Sequence, residues 1–496
     1  MNKIFRVFWN SSLQVWQAVG ENSKGRKKCK VGASKASGRL IASGALTLLS
    51  ANVFAADLPT NGVVVSGQVA IEQQANVMNV TQSSNKAAVN WQSFDVGKNN
   101  TVNFVQPSAT SAILNRVIGS DVSSIQGAIN ANGQVFLINP NGILFTPSAQ
   151  VNVGALVAST LNISNEDFNS GNYVFAGDSS SAIINQGNIQ TADGGYVAFI
   201  AAKIENIGNI TANNGEVLMG AGAKVTLDMG GPVKLEVEQG AIDSLIANGG
   251  AIQADGGMVY LSAKAAGDLA SSVINHTGIV EASSLSSVGG EIILEGDNIS
   301  LAAGSELNAT GATGGGDILV GGDWQGTGDM RQAVSVDMAA TASIDASATQ
   351  YGDGGKVVLW SDVANAESVT SVSGDITASA GAEGGNGGKV ETSGYLLKTS
   401  GVSLDLTAEK GSGGLWLLDP TNITISGSAT TAGATPLPNY ESNVDSSNVL
   451  NSDIVNQLNS GTSVTIQTGS GGAQAGDITL ASDIVTGNMA GDATLT

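Results

Sequence analysis

One phrase recurs along the middle of the chain, and it constrains the fold more than any other feature. Ile183–Phe199 reads I-I-N-Q-G-N-I-Q-T-A-D-G-G-Y-V-A-F, and Ile204–Met219 reads I-E-N-I-G-N-I-T-A-N-N-G-E-V-L-M. The equivalent glycines Gly187 and Gly208 lie 21 residues apart. The first half returns at Ile274–Ala282. The Gly-Gly half returns at Gly256-Gly257, Gly289-Gly290, Gly315-Gly316, Gly354-Gly355 and Gly387-Gly388, followed by M-V-Y-L, E-I-I-L, D-I-L-V, K-V-V-L and K-V-E-T respectively. A unit of roughly 20 residues, made of short strands and turns, cannot bury its apolar face alone. Stacked on its like, it builds a parallel β-helix filled with Val, Ile and Leu. A β-sandwich predicts turn signals without a fixed phrase. The expectation is an all-β solenoid, its glycines serving corners with φ > 0.

Upstream, from Gly62 to about Val157, short apolar runs alternate with polar turns, as in Val63–Val65, Val69–Ile71, Val102–Val105 and Ala112–Leu114. No sustained helical period appears, so this stretch reads as the β start and cap of the solenoid. Gly427 to Asn443, with Pro436 and Pro438, reads as a linker. Ser452 to Leu458 reads as a short helix capped by Ser452 and stopped near Gly461. Gly476–Leu480 is echoed by Gly491–Leu495, which gives the expectation that repeats continue in a longer protein.

Residues 1–55 hold nine of the 21 Lys and Arg residues and one acid, Glu21. They read as a targeting segment. A basic stretch from Arg26 to Arg39 precedes the apolar run Leu40–Leu49, and Val53-Phe54-Ala55 offers a cleavage site, so the mature chain is expected to start at Ala56. The apolar run is too short and interrupted for a stable anchor, and no other segment approaches a membrane span. The remainder carries 12 bases against 41 acids, a balance that excludes binding nucleic acid through its phosphates. Cys29, the single cysteine, lies in the leader, so a mature chain has no disulfide, thiol chemistry or Cys-bound metal.

Within the capping region, Phe136-Leu137-Ile138 leads into Asn139-Pro140-Asn141-Gly142 and out through Ile143-Leu144-Phe145. The tetrad is turn chemistry. Pro140 pre-sets φ at the second position, Asn141 tolerates a left-handed conformation, and Gly142 relieves crowding at the fourth. Together with N-W-Q-S-F-D-V-G (Asn90–Gly97), L-N-R-V-I-G (Leu114–Gly119) and I-Q-G (Ile125–Gly127), it resembles the secretion domain of filamentous-haemagglutinin-type two-partner-secretion exoproteins, and looks closest to the high-molecular-weight non-pilus adhesins. Met1–Gly25 resembles the extended signal region of such proteins, and Gly413–Ile425 resembles a junction found after the secretion domain. The N-P-N-L motif of some members is absent.

The resemblance implies a right-handed parallel β-helix with an N-terminal β cap. It divides the chain into an extended signal peptide (1–55), a secretion or haemagglutination-activity domain (56–300), continuing repeats (301–426), and a linker with further repeats (427–496). It implies export through the periplasm of a Gram-negative bacterium by an outer-membrane β-barrel with periplasmic polypeptide-transport domains. Residues implied in recognition or folding are Asn115, Arg116, Asn139, Pro140, Asn141 and Gly142. The expected role is a secreted surface adhesin that meets a receptor on host cells or other bacteria. Contact-dependent toxins, pore-forming cytolysins and haemopexin- or haem-capturing exoproteins share the same domain and stay open. The sequons at Asn79, Asn162, Asn209, Asn298 and Asn422 are candidate hexose acceptors.

No cofactor, metal site or catalytic residue is expected. His276, the single histidine, reads as a turn residue on the solenoid surface, and one histidine makes neither a zinc site nor a triad. The acids are scattered singly along turns. The Gly-Gly phrases lack the spacing of calcium-binding nonapeptides and the Lys-Ser/Thr ending of a phosphate loop.

Overall fold

Val135 lies beside Ile113 on one side and Leu156 on the other, all in parallel register; Val197 lies beside Val217, and Val217 beside Val259. Each turn of chain therefore stacks on the turn before it, as the recurring phrase requires. In this computed structural model the described residues are 5–10, 15–20, 58–266, 272–428, 447–468, 476–487 and 489–496. Two units separate: Met1–Val53 and Phe54–Thr496. In the first, Phe5–Asn10 pairs antiparallel with Val15–Gly20.

The second unit is a β-helix solenoid with three long, mostly parallel faces. The first face has 14 described strands and includes Gln134–Ile138; the second and third have 13 each and include Ala128–Ala131 and Ile143–Phe145. The N-terminal end is closed by antiparallel pairing, Val69–Gln74 against Val77–Gln82 and Val63–Ser66 against the strand Lys86–Trp91. That is the β cap.

The interior is one continuous apolar file, including Val135, Leu137, Leu156, Val197, Val217, Val259, Ile292, Ile318, Val357 and Val390 on the first face. Each buried side chain contributes roughly 1.5–3 kcal/mol, and none is buried until the next coil covers it. The coil length is not constant. The register on the first face passes from Val197 directly to Val217, but from Ile318 to Val357 through a long excursion.

The Gly-Gly phrase has a different cause from the one expected. Gly195, Gly215, Gly257, Gly290, Gly316 and Gly355 stack in a column at the corner leading into the first face. A Cβ on any of the later five would lie well under 3.0 Å from the carbonyl oxygen of the glycine one coil below. Close approach of backbones, rather than positive φ, selects glycine in this column. The preceding residue carries the left-handed turn in two phrases, Gly194 at φ 70° and Gly256 at φ 72°.

His276 is not on the surface. Its side chain is fully buried inside the third face, at the end of an amide ladder. Asn185 donates to Asn206 (2.8 Å), Asn206 donates to Asn248 (2.8 Å), and Asn248 donates to Nδ1 of His276 (3.2 Å). His276 closes the ladder through Nε2 to the Glu306 carbonyl oxygen (3.0 Å). Parallel register places these side chains one above another, so each polar group is satisfied by its neighbour.

Two coverings hide the outer side of the first face. The earlier one is the helix Asn165–Ser170 with an antiparallel sheet of Tyr173–Ala176, Lys224–Asp228 and Lys234–Gln239. It buries Phe136, Ile138, Val157, Phe168 and Tyr173 in a second core, where Phe136 stacks on Tyr173 at 5.4 Å. Further along, a strap over residues 321–334 covers Leu319, Val358 and Trp360. The helix expected from Ser452 spans Asn451–Asn459; its capping residue is Leu450, with no side-chain cap bond, and it stops before Gly461 (φ 90°). The expected linker, Gly427–Asn443, falls mostly outside the described residues.

Candidate functional site

The Asn139–Gly142 turn is the corner between the first and third faces. The Gly142 N–H donates to the Asn139 carbonyl oxygen (3.0 Å), closing a four-residue β-turn. The left-handed residue is Gly142, at φ 115°, and not Asn141, whose φ is not positive. Gly142 thus supplies the backbone freedom, while Asn141 is selected for its side chain.

That side chain and the Asn139 amide rivet the corner to the preceding coil. Asn139, fully buried, donates through Nδ2 to the Asp121 carbonyl oxygen (2.9 Å) and to Ser123 Oγ (3.0 Å). Its Oδ1 accepts from the Asn141 backbone N–H (2.9 Å) and from Asn141 Nδ2 (3.0 Å). Asn141 Nδ2 also donates to the Gly119 carbonyl oxygen (2.9 Å). Pro140 is exposed, and its carbonyl oxygen accepts from Ser179 Oγ at 2.6 Å.

Asn115 and Arg116 lie in the strand alongside, Asn115 in register with Leu137 and Arg116 with Ile138. Their side chains point to opposite sides, as pleating dictates. Asn115 is buried inside, where Oδ1 accepts the Trp91 indole N–H (3.0 Å) and Nδ2 donates to the Phe136 carbonyl oxygen (3.3 Å). Arg116 points outward into the covering layer. It donates to Oδ1 of Asn162 (2.9 Å), Asn90 (3.2 Å) and Asn165 (2.8 Å), and to the Ile163 carbonyl oxygen. Burial lowers its pKa, and a guanidinium nevertheless stays charged. The structure thus brings the corner and the Asn115-Arg116 pair onto adjacent strands, and gives each a separate fastening task.

Sequence reasoning missed the partners. Asp121, Ser123, Asn90 and Asn165 carried no motif of their own. The helix that Arg116 holds did have a signal, Ser164-x-x-Asp167, in which Ser164 Oγ accepts the Asp167 N–H at 2.9 Å. Also unforeseen is Glu391, a fully buried carboxyl on the outer side of the first face. It accepts the Gln325 backbone N–H from the strap (2.7 Å) and the Ser393 hydroxyl (3.0 Å). Burial pushes its pKa up to about 7.

All five sequon carboxamides are engaged in the folded chain. Asn79 accepts from Asn103 (3.0 Å), Asn162 from Arg116, and Asn298 from Ser335 (2.8 Å). Asn209 donates to Asn188 (2.8 Å), and Asn422 accepts from the Asp477 N–H (2.8 Å). Ala55 and Ala56 lie outside the described residues. Among the described residues no helix is long and apolar enough to cross a membrane.

The β cap, the parallel coils stacked on it and the Asn139–Gly142 corner all fall within one family match. Residues 55–320 match the TPS secretion domain, and residues 1–50 match the extended signal peptide of the type V secretion system. The chain belongs to the TPS secretion domain family. It is similar to the crystal structure of the HMW1 secretion domain from Haemophilus influenzae, at 29% identity and a TM-score of 0.58, covering 73% of this chain and 100% of that one. It is also similar to two heme/hemopexin-binding proteins of Haemophilus influenzae. One is 33% identical over 264 residues, 51% of this chain and 29% of the relative; the other is 32% identical over 301 residues, 55% and 32%. The chain therefore spans about a third of the length of these curated relatives. The signal and the domain together direct secretion across the outer membrane to the cell surface or the medium, and the domain implies an outer-membrane transporter as partner.

Proposed function

We propose that this chain is the N-terminal portion of a surface adhesin, in which the corner at Asn139–Gly142 serves export and the solenoid serves attachment without catalysis. Residues 56–300 act as the secretion domain and 301–426 as continuing rod. The observation that carries the reading is the outer surface of the second face. There Asn103 donates to Asn79 and Asn130 donates to Asn103, each at 3.0 Å, and Asn152 continues the file to Asn130 at 3.4 Å. A rigid file of uncharged amides at the coil spacing of about 4.8 Å suits a repetitive surface ligand better than a small substrate in a pocket. The transporter, a β-barrel with periplasmic polypeptide-transport domains, is proposed to engage Asn115, Arg116 and Asn139–Gly142 before they fold.

A second reading has its own support: the 33% identity to a protein named for binding heme and hemopexin. One strain set separates the two. Deletion of the protein is expected to abolish attachment to epithelial cells or to other bacteria while growth on haem–hemopexin is unchanged; the opposite pattern assigns haem capture, and loss of killing or haemolysis assigns a toxin. Asn139→Ala with Asn141→Ala is expected to leave the chain in the periplasm, where it is degraded. Unchanged secretion of that variant in the presence of the transporter would make the corner purely structural.

A further inference from the structure

The strands of the second face divide into two stretches of different charge. Seven of them in succession, from Val77–Gln82 to Ala251–Gln253, contain no charged residue. The next five, from Ile279–Glu281 to Val402–Asp405, carry one acid each: Glu281, Glu306, Asp345, Asp375 and Asp405. Among the described residues no strand of this face carries a base. In a chain of net charge −21, the neutral stretch is the part of this face on which another acidic body can settle without repulsion.

Pleating turns the neutral polar side chains outward. Gln150, Asn152, Asn188, Gln190 and Asn209 are exposed, while Val151, Ile189 and Ile210 between them are buried. Carboxamides suit a partner like themselves, since each has two N–H donors and an oxygen with two lone pairs. The file along Asn79, Asn103, Asn130 and Asn152 uses one donor and one lone pair of Asn103 and of Asn130, so each keeps a second donor and a second lone pair. A second copy of the chain repeats these groups at the same coil spacing of about 4.8 Å. Charge then fixes how two copies lie. In the same direction, the five acids of one copy face the five of the other, which costs binding. In opposite directions, the neutral stretches overlap over about 29 Å, six coil spacings, and the acid stretches point away from each other.

We propose that the neutral stretch of the second face pairs, antiparallel, with the same stretch of a second copy of this chain, and so joins cell to cell. This rests on the reading of the solenoid as an attachment rod, and it names the partner. Rods held by the same end on two facing cells meet in the antiparallel arrangement. One overlap is small and weak on its own, and many between two surfaces add through effective concentration. The middle strand of the seven, Gln150–Val153, lies opposite its own copy.

Beads carrying the secreted chain, fixed by its C-terminal end, test this. They are expected to clump with one another, and Gln150→Glu with Gln190→Glu, at two exposed positions, is expected to cut clumping at least tenfold with the Tm unchanged. Thiol cross-linking reads the direction, because Cys29 lies in the leader and a chain cleaved after Ala55 has no cysteine of its own. Under mild oxidation Gln150→Cys in solution is expected to give a disulfide-linked dimer, and Ser343→Cys, in the middle of the acid stretch, is not. Clumping that survives the two glutamates, or dimers of Ser343→Cys as abundant as those of Gln150→Cys, overturns the proposal. Beads that hold epithelial cells without clumping also overturn it, assign the face to a host ligand and leave the attachment reading standing. Beads that neither clump nor hold cells count against both.

Discussion

Asn248 donates its side-chain amide to Nδ1 of His276, 3.2 Å away, and this one bond fixes the protonation state of the chain's single histidine. With Nδ1 accepting, Nε2 carries the hydrogen and donates to the Glu306 carbonyl oxygen. A second proton would set an N–H against the Asn248 amide, and burial independently lowers the pKa from its ordinary 6.5.

The pH dependence follows in sign. The unfolded chain takes up a proton at His276 as pH falls below about 6.5, and the folded chain does not, so stability is lost as pH falls through this range. His276→Asn extends the ladder and is expected to abolish that loss. His276→Ala orphans the Asn248 amide and is expected to cost about 1–3 kcal/mol at pH 7.5. Urea denaturation of the three proteins at pH 7.5 and 5.5 measures both effects.

Glu391 works in the opposite direction. Its folded pKa of about 7 lies above the ordinary 4.5, so the folded state holds a proton the unfolded state has released. Its stabilisation is present in full below about pH 4.5 and is lost as pH rises through 7. Glu391→Gln keeps an acceptor for the Gln325 N–H and is expected to flatten the dependence between pH 5 and about 8. Trp324 and Trp360 report it, since both pack in the cluster under the strap, where Trp360 donates to Gln332 (3.1 Å).

Arg116→Lys retains charge and loses the fork. Four acceptors on three segments cannot be reached by one ammonium group. The expected outcome is a loss of about 1–3 kcal/mol, concentrated in the covering helix. Hydrogen exchange should accelerate at the amides of Asn162–Ser170 and remain slow in the strand Gln134–Ile138.

The glycine column gives the sharpest contrast. Gly257→Ala places a methyl group against the Gly215 carbonyl oxygen and forces two coils apart; a cost of about 1–3 kcal/mol or more is expected. Gly231→Ala meets nothing within 4 Å and is expected to leave the Tm unchanged. Thermal unfolding of the two variants checks the pair.

The stack itself was legible because parallel coils repeat the same demand at the same position. Ile189, Ile210 and Ile252 face one interior, and the phrase that carries them announces it. Gly142 and Asn139 were legible as a turn, but the division of labour between Gly142 and Asn141 was not, since both residue types tolerate positive φ. His276 was misplaced because its burial depends on three asparagines in other coils, Asn185, Asn206 and Asn248, whose alignment exists only once the register is set. Glu391 and the strap were invisible for the same reason: Glu391 sits in the Gly387-Gly388 phrase, but Gln325, which covers it, lies far away in sequence and outside any repeated phrase.

The strands of the first face keep their register while the segments that lead out of them range from a tight turn, as between Ala201 and Lys203 of the third face, to the hairpin at Lys224–Gln239 and the strap at 321–334. Length can be gained or lost between strands without disturbing which residue sits above which. The rod is therefore a keel and the excursions are its cargo. A lineage that needs a new surface property can edit the excursions and leave the keel alone.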